Sequence, residues 1–206
     1  MVLIRKRIGN DTNIFSKNMD DNLKERAKKI KAVALDLDGV VFTGRVLVTP
    51  EGKRMQERSR VDALGISLLR DAGIRVALIT GGSSMFLNMF PKQLNSSASV
   101  KEGKWASVAA LGGKKVQGKD KVALGEQWLS EIDVGWEECA FMGDDLSDYH
   151  IMQKVGLAAA PAQAEDVIKE ISHFIAPRKG GDGAVRDLVN FILNAQEVDV
   201  TKLSIK

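Results

Sequence analysis

The chain has 206 residues, 44% of them hydrophobic and 28% charged, the balance of a protein that buries a core rather than of a disordered one. Its single cysteine, Cys139, excludes an intramolecular disulfide and points to a reducing, cytoplasmic compartment. The formal charge of +3 comes without a basic stripe or interleaved aromatics, which argues against nucleic acid and suits an anionic small molecule. No apolar stretch approaches a membrane span, and MVLIRKRIGN lacks the apolar centre of a secretory signal.

Residues 1–20 are polar and aperiodic and read as a loose arm, residues 21–196 as one α/β domain, and 197–206 as a tail. DDNLKERAKKIK (20–31) predicts a short helix with acids first and bases last, as the helix dipole prefers. In KAVALDLDGV, residues 32–35 read as a buried strand that ends in Asp36 and Asp38, one residue apart, and then Gly39. The alternation of GRVLVTPEGKRMQERSR, broken at Pro50-Glu51-Gly52, predicts a hairpin over 45–60, its apolar face formed by Val46 and Val48.

VDALGISLLRDAG then reads as a helix closed by Gly73, and IRVALITGG as a strand that leaves through glycines. SSMFLNMFPKQL starts as a helix. Residues 95–115 are Ser-, Gly- and Lys-rich and read as an irregular insertion with room for a short strand at SVAAL. From KDKVALGEQWLSEI onward, helix and strand alternate: ECAFMGDD is a strand ending in acids, SDYHIMQKVG a helix, LAAAP a strand, AEDVIKEIS a helix, HFIAP a strand and GAVRDLVNFILNAQ a helix. Strands separated by helix-length segments imply right-handed crossovers and a doubly wound, mostly parallel sheet covered on both faces, with a hairpin in place of a cap domain.

The turns that leave the strands of a parallel sheet collect at one edge, where such sheets bind ligands. This edge receives Asp36 and Asp38, then Thr80-Gly81-Gly82, then Asp144, Asp145 and Asp148 from GDDLSD. Five carboxylates cannot share an edge stably without a counterion, and a hard divalent cation, Mg2+ where phosphate is handled, is the simplest one. Each feature alone has a plain reading: an Asx turn, a helix start rich in acids, a strand exit. Three in register at strand ends favour a site.

Lys121 opens a helix beside the sheet, where its ammonium could reach a phosphoryl group; a solvated surface lysine is the alternative. GKKVQGKD (113–120) has the spacing of a phosphate loop, but Asp120 stands where Ser or Thr would bind the cation, so nucleotide binding is disfavoured. His150 and His173 lack ligand spacing, Cys139 reads as a buried strand residue, and Trp105, Trp128 and Trp136 read as packing. PRKGGDGAVRD is a glycine loop running into a helix, or a source of anion-binding charge through Arg178 and Lys179.

With Asp36-Leu37-Asp38, Thr80, Lys121 and GDDLSD in this order, the chain resembles the haloacid dehalogenase superfamily phosphatases. RAKKIKAVALDLDGV, GISLLRDAGIRVALITG, QGKDK, GDDLSDYHIMQKVGLAAAPA and RKGGDGAVRDLVNFIL look more narrowly like the 3-deoxy-D-manno-octulosonate 8-phosphate phosphatase group. The likeness spans about residues 25–196 and extends to nonulosonate 9-phosphate phosphatases and to the phosphatase-like domain of some acylneuraminate cytidylyltransferases.

The resemblance implies a phosphatase for a small phosphorylated sugar acid. In it Asp36 attacks phosphorus to form an aspartyl-phosphate, and Asp38 protonates the leaving oxygen and then activates water. Thr80 and the Gly81 amide hold phosphoryl oxygens and Lys121 balances their charge. Mg2+ is bound by Asp36, the Asp38 carbonyl and Asp144, with Asp145 and Asp148 orienting that shell. The group's assembly implies a homotetramer of packed hairpins, with Arg178 and Lys179 near a site completed across subunits. Three positions depart from the group: Val41-Phe42-Thr43-Gly44 lacks an acid, Val61 replaces an arginine, and Gly82 replaces an arginine or glutamate associated with reading the sugar acid. A phosphatase-like fold retained as an oligomerisation or regulatory module is the alternative.

Overall fold

The computed structural model describes residues 21–81, 85–113 and 118–203. The proposed arm, Gly82 and the last three residues of the tail lie outside this set. Helix α1 (Asp21–Lys28) leads into strand β1 (Ala32–Asp36), followed by the hairpin β2 (Phe42–Val48) and β3 (Arg54–Arg58). Then come α2 (Arg60–Asp71), β4 (Arg75–Thr80), α3 (Met85–Asn95), α4 (Ala98–Lys101), β5 (Ala109–Gly112) and α5 (Gly118–Glu131). The chain closes with β6 (Cys139–Met142), α6 (Tyr149–Met152), β7 (Leu157–Ala160), α7 (Asp166–Glu170), β8 (Phe174–Ile175) and α8 (Ala184–Ala195).

Six strands form one sheet in the order β5-β4-β1-β6-β7-β8, every pair parallel. The expected doubly wound α/β architecture is what the chain adopts. Alternation along β1 divides the core into two layers. Val33 and Leu35 join Ile66, Leu69, Leu188 and Ile192 of α2 and α8 on one face. Ala32 and Ala34 join Trp128, Phe141 and Ile151 on the other. Burial on both faces is why the central strands read as unbroken apolar runs.

Three expectations change in detail. Within 95–115 the short strand expected at SVAAL forms as β5, and it is an outer strand of the main sheet, paired with β4 from Ala77↔Ala109 to Thr80↔Gly112, so the segment is built into the fold. Arg70, buried on α2, holds that segment by donating to the carbonyls of Leu94 (3.1 Å) and Ala106 (2.9 Å). Asn95 accepts from the Val108 amide at 2.8 Å and donates to its carbonyl at 3.0 Å. The hairpin, in turn, starts earlier than expected, at Phe42. Its Val46 is half-buried, and the outward apolar cross-strand pair is Leu47↔Met55, 67% and 55% exposed, with Val48 also exposed. The expected tail, 197–206, is partly docked: its Val198, Val200 and Leu203 pack against the core.

Candidate active site

β1, β4 and β6 end side by side and bring three acidic or polar turns together. Asp36 is the last residue of β1, Thr80 that of β4, and Gly143-Asp144-Asp145 comes directly after β6. Gly39, at φ +86°, turns the chain beside Asp144 so tightly that a Cβ there would collide with the Asp144 carboxylate. A cavity of about 490 Å3 opens above these turns, lined among others by Asp36, Asp38, Thr80, Gly81, Asp144 and Arg45.

Lys121 is the centre of the charge arrangement. It is 1% exposed, and its Nζ donates to Asp36 Oδ1 and to Asp148 Oδ1, each at 2.6 Å. The surface alternative for this lysine is therefore excluded. Asp148, also buried, uses its other oxygen to accept from the amides of Asp144 (3.0 Å) and Asp145 (3.4 Å). It thereby fixes the backbone that presents the Asp144 carboxylate. Asp145 is exposed and caps its own turn, accepting from the Leu146 amide at 2.6 Å. Asp38 Oδ1 accepts from Gln56 Nε2 at 2.6 Å.

Carboxylate oxygens of Asp36, Asp144 and Asp148 lie within 4.8 Å of one another. One ammonium faces three acids, an imbalance that disfavours the charged forms of Asp36 and Asp144. Burial, then the Asp148 charge, pushes the Asp36 carboxyl well above the usual carboxylate range. Burial, then Asp148 and Asp145, pushes Asp144 up to about 7. Burial opposes the charge on Lys121, but Asp36 and Asp148 together reverse that effect and hold it above the usual lysine value. An all-oxygen donor set with surplus negative charge fits a hard divalent cation such as Mg2+.

Three residues of this neighbourhood carry no signal in the sequence. Gln56 reaches in from β3. Gln163 donates to the Gly39 carbonyl at 2.7 Å and accepts from the Gly180 amide at 2.8 Å, tying the glycine loop to the turn after β1. Arg45, exposed on β2, lines the cavity. Of the expected substrate contacts, Gly81 lines the cavity, whereas Arg178 and Lys179 are not among its described lining residues. Arg178 instead holds Asp187 of α8 through Nε at 3.0 Å and Nη2 at 2.6 Å, and Lys179 is exposed. Asp120, the misfit of the phosphate-loop spacing, is exposed on α5.

A family model described as haloacid dehalogenase-like hydrolase matches residues 92–188. A curated 3-deoxy-D-manno-octulosonate 8-phosphate phosphatase from Yersinia pestis is 30% identical over 178 residues, 86% of this chain and 87% of the relative. The fold matches the crystal structure of the Moraxella catarrhalis enzyme of the same name, which holds a magnesium ion, a phosphate ion and a KDO molecule. That match has a TM-score of 0.74 at 27% identity over 87% of this chain and 94% of that one. The cobalt-bound form of the corresponding Haemophilus influenzae phosphatase gives 0.70 at 26% identity, over 84% and 92%.

Proposed function

The chain belongs to the haloacid dehalogenase-like hydrolases and is a Mg2+-dependent phosphatase of that family, and from this we propose that it hydrolyses a small phosphorylated sugar acid through an aspartyl-phosphate. The substrate is an octulosonate 8-phosphate of the kind named for its relatives, or a nonulosonate 9-phosphate. The observation that carries the reading is the buried Lys121, which holds one oxygen of Asp36 and one of Asp148 at the mouth of the sheet.

Lys121 commits Asp36 Oδ1, so Oδ2 is the oxygen directed at phosphorus. Attack divides one very slow hydrolysis into two faster displacements. Asp38 gives its proton to the departing sugar oxygen, then takes one from the water that releases phosphate. Thr80 and the Gly81 amide hold phosphoryl oxygens, and Lys121 offsets their charge once the acids share it. Asp36, the Asp38 carbonyl and Asp144 would hold Mg2+, which would supply charge neutralisation for the phosphoryl group. Asp148 and Asp145 keep that shell in place. Hairpins pairing through Leu47, Val48 and Met55 would assemble the chains as a homotetramer.

The test is a steady-state screen of phosphorylated sugars and sugar acids with Mg2+, run beside Asp36→Asn. Turnover of a sugar-acid phosphate that disappears in the variant is the expected result. Activity of Asp36→Asn within tenfold of wild type would remove Asp36 from the reaction.

A further inference from the structure

We propose that Gln56, on the second strand of the hairpin, is a positioning residue that fixes the carboxylate of Asp38 for proton transfer to the leaving group. The inference rests on the role proposed for Asp38 in the phosphatase reaction. Gln56 Nε2 donates to Asp38 Oδ1 at 2.6 Å, across 18 residues of sequence. The opposite orientation of the amide would set its oxygen against a carboxylate oxygen, two acceptors face to face. The amide therefore keeps its donor on Asp38, although its own Oε1 is buried and has no partner among the described residues. A buried acceptor left unmatched beside a reacting carboxylate is a departure from the general satisfaction of buried polar groups. The hairpin retains it for the sake of the donor.

The consequence is one of direction. Asp36 and Asp38 are held alike, each with Oδ1 committed to a donor from another element, Lys121 of α5 in one case and Gln56 of β3 in the other. With Oδ1 of Asp38 occupied, the proton rides on Oδ2 and passes from there to the departing oxygen as the bond to phosphorus breaks. A carboxylate free to rotate would present either oxygen, and misorientation of an acid by an ångström is enough to slow transfer.

The leaving group separates this role from a structural one. An alkyl phosphate needs the acid as its bond to phosphorus breaks, whereas p-nitrophenyl phosphate, with a stable phenolate, needs it little. Because kcat/KM reports steps only up to departure of the leaving group, the ratio of kcat/KM for a simple alkyl phosphate to that for p-nitrophenyl phosphate isolates Asp38's first task. Gln56→Leu, measured as Mg2+-loaded full-length protein, is expected to lower this ratio about ten- to a hundredfold. Gln56→Glu, which sets two carboxylates against each other, is expected to lower it at least as far. Partial unfolding would scale both substrates together, so an unchanged ratio in Gln56→Leu overturns the proposal. Asp38→Asn run in parallel tells the two failures apart. If it too leaves the ratio unchanged, the assignment of Asp38 fails, and if it collapses the ratio while Gln56→Leu does not, only the positioning role fails.

Discussion

Asp144 carries a proton near neutrality when no cation faces it, because burial and the charges of Asp148 and Asp145 push its pKa up to about 7. In an unfolded chain the same group titrates near ~3.9. Its folded pKa is thus the higher one, so its contribution to stability is full below the unfolded value and is lost as pH rises through about 7. Metal-free protein should therefore melt at a lower temperature at pH 8 than at pH 5.5, Mg2+ should restore the difference, and Mg2+ affinity should climb over the same interval because cation and proton compete. Thermal melts at both pH values with and without Mg2+ check all three. At the same scale, Arg45 and Lys121 are the cations among the described lining residues, and Lys121 is already paired with two carboxylates. With Gly82 offering no side chain, Arg45→Ala should raise KM for a carboxylate-bearing sugar phosphate about three- to tenfold and leave a neutral sugar phosphate within about twofold. Parallel KM measurements on the two substrates decide it. The acids of this site were legible from their positions after strands. The burial of Lys121 was not, since nothing in KDKVALGEQWLSEI distinguishes a lysine that faces two carboxylates from one that faces water.

Among the elements, α2 and α8 are joined by a contact that a local reading assigns to the wrong helix. Asp62 looks like a favourable acid in the first turn of α2, yet it is 1% exposed and accepts from the amides of Gly183 (3.0 Å) and Arg186 (2.8 Å) at the start of α8. It caps a helix 121 residues further along the chain. Asp62→Ala would take the acceptor from the buried Gly183 amide and the part-buried Arg186 amide, and the expected cost is about 1–3 kcal/mol, read as a lowered midpoint in urea. Asp62→Asn, which keeps an acceptor, should recover part of it. Helices and strands with a clear period were readable in the sequence from residue 21 onward. The segment before β5 was not, because its order comes from Arg70 and Asn95, whose bonds to Leu94, Ala106 and Val108 are invisible to any local window.

For the whole molecule, the hairpin carries a cluster of exposed apolar side chains among the described residues that a single chain does not cover. Leu47, Val48 and Met55 stand in water at 67%, 64% and 55% exposure, a combination that favours association. Light scattering at assay concentration should report a tetramer. Leu47→Lys with Met55→Glu should shift it to smaller species while far-ultraviolet circular dichroism stays unchanged, and a wild-type monomer with full activity would exclude the arrangement. The fold class was plain from the alternation of elements, whereas the partner of a surface strand is a property of two chains and is not written in the period of one.

The glycine loop after β8 also determines when the enzyme can first work. Gly181 donates to the Val40 carbonyl at 2.8 Å, a Cβ on Gly180 would collide with the Gly39 carbonyl, and Gln163 ties both turns together. The turn after β1 is thus finished by residues synthesised some 140 positions later, and β1 lacks its β6 neighbour until residue 139 has been made. A chain that ends before this loop therefore leaves the turn after β1 without its floor. Phosphatase activity should accordingly be absent from chains that end before the RKGGDG stretch, measured as turnover by purified truncations with Mg2+.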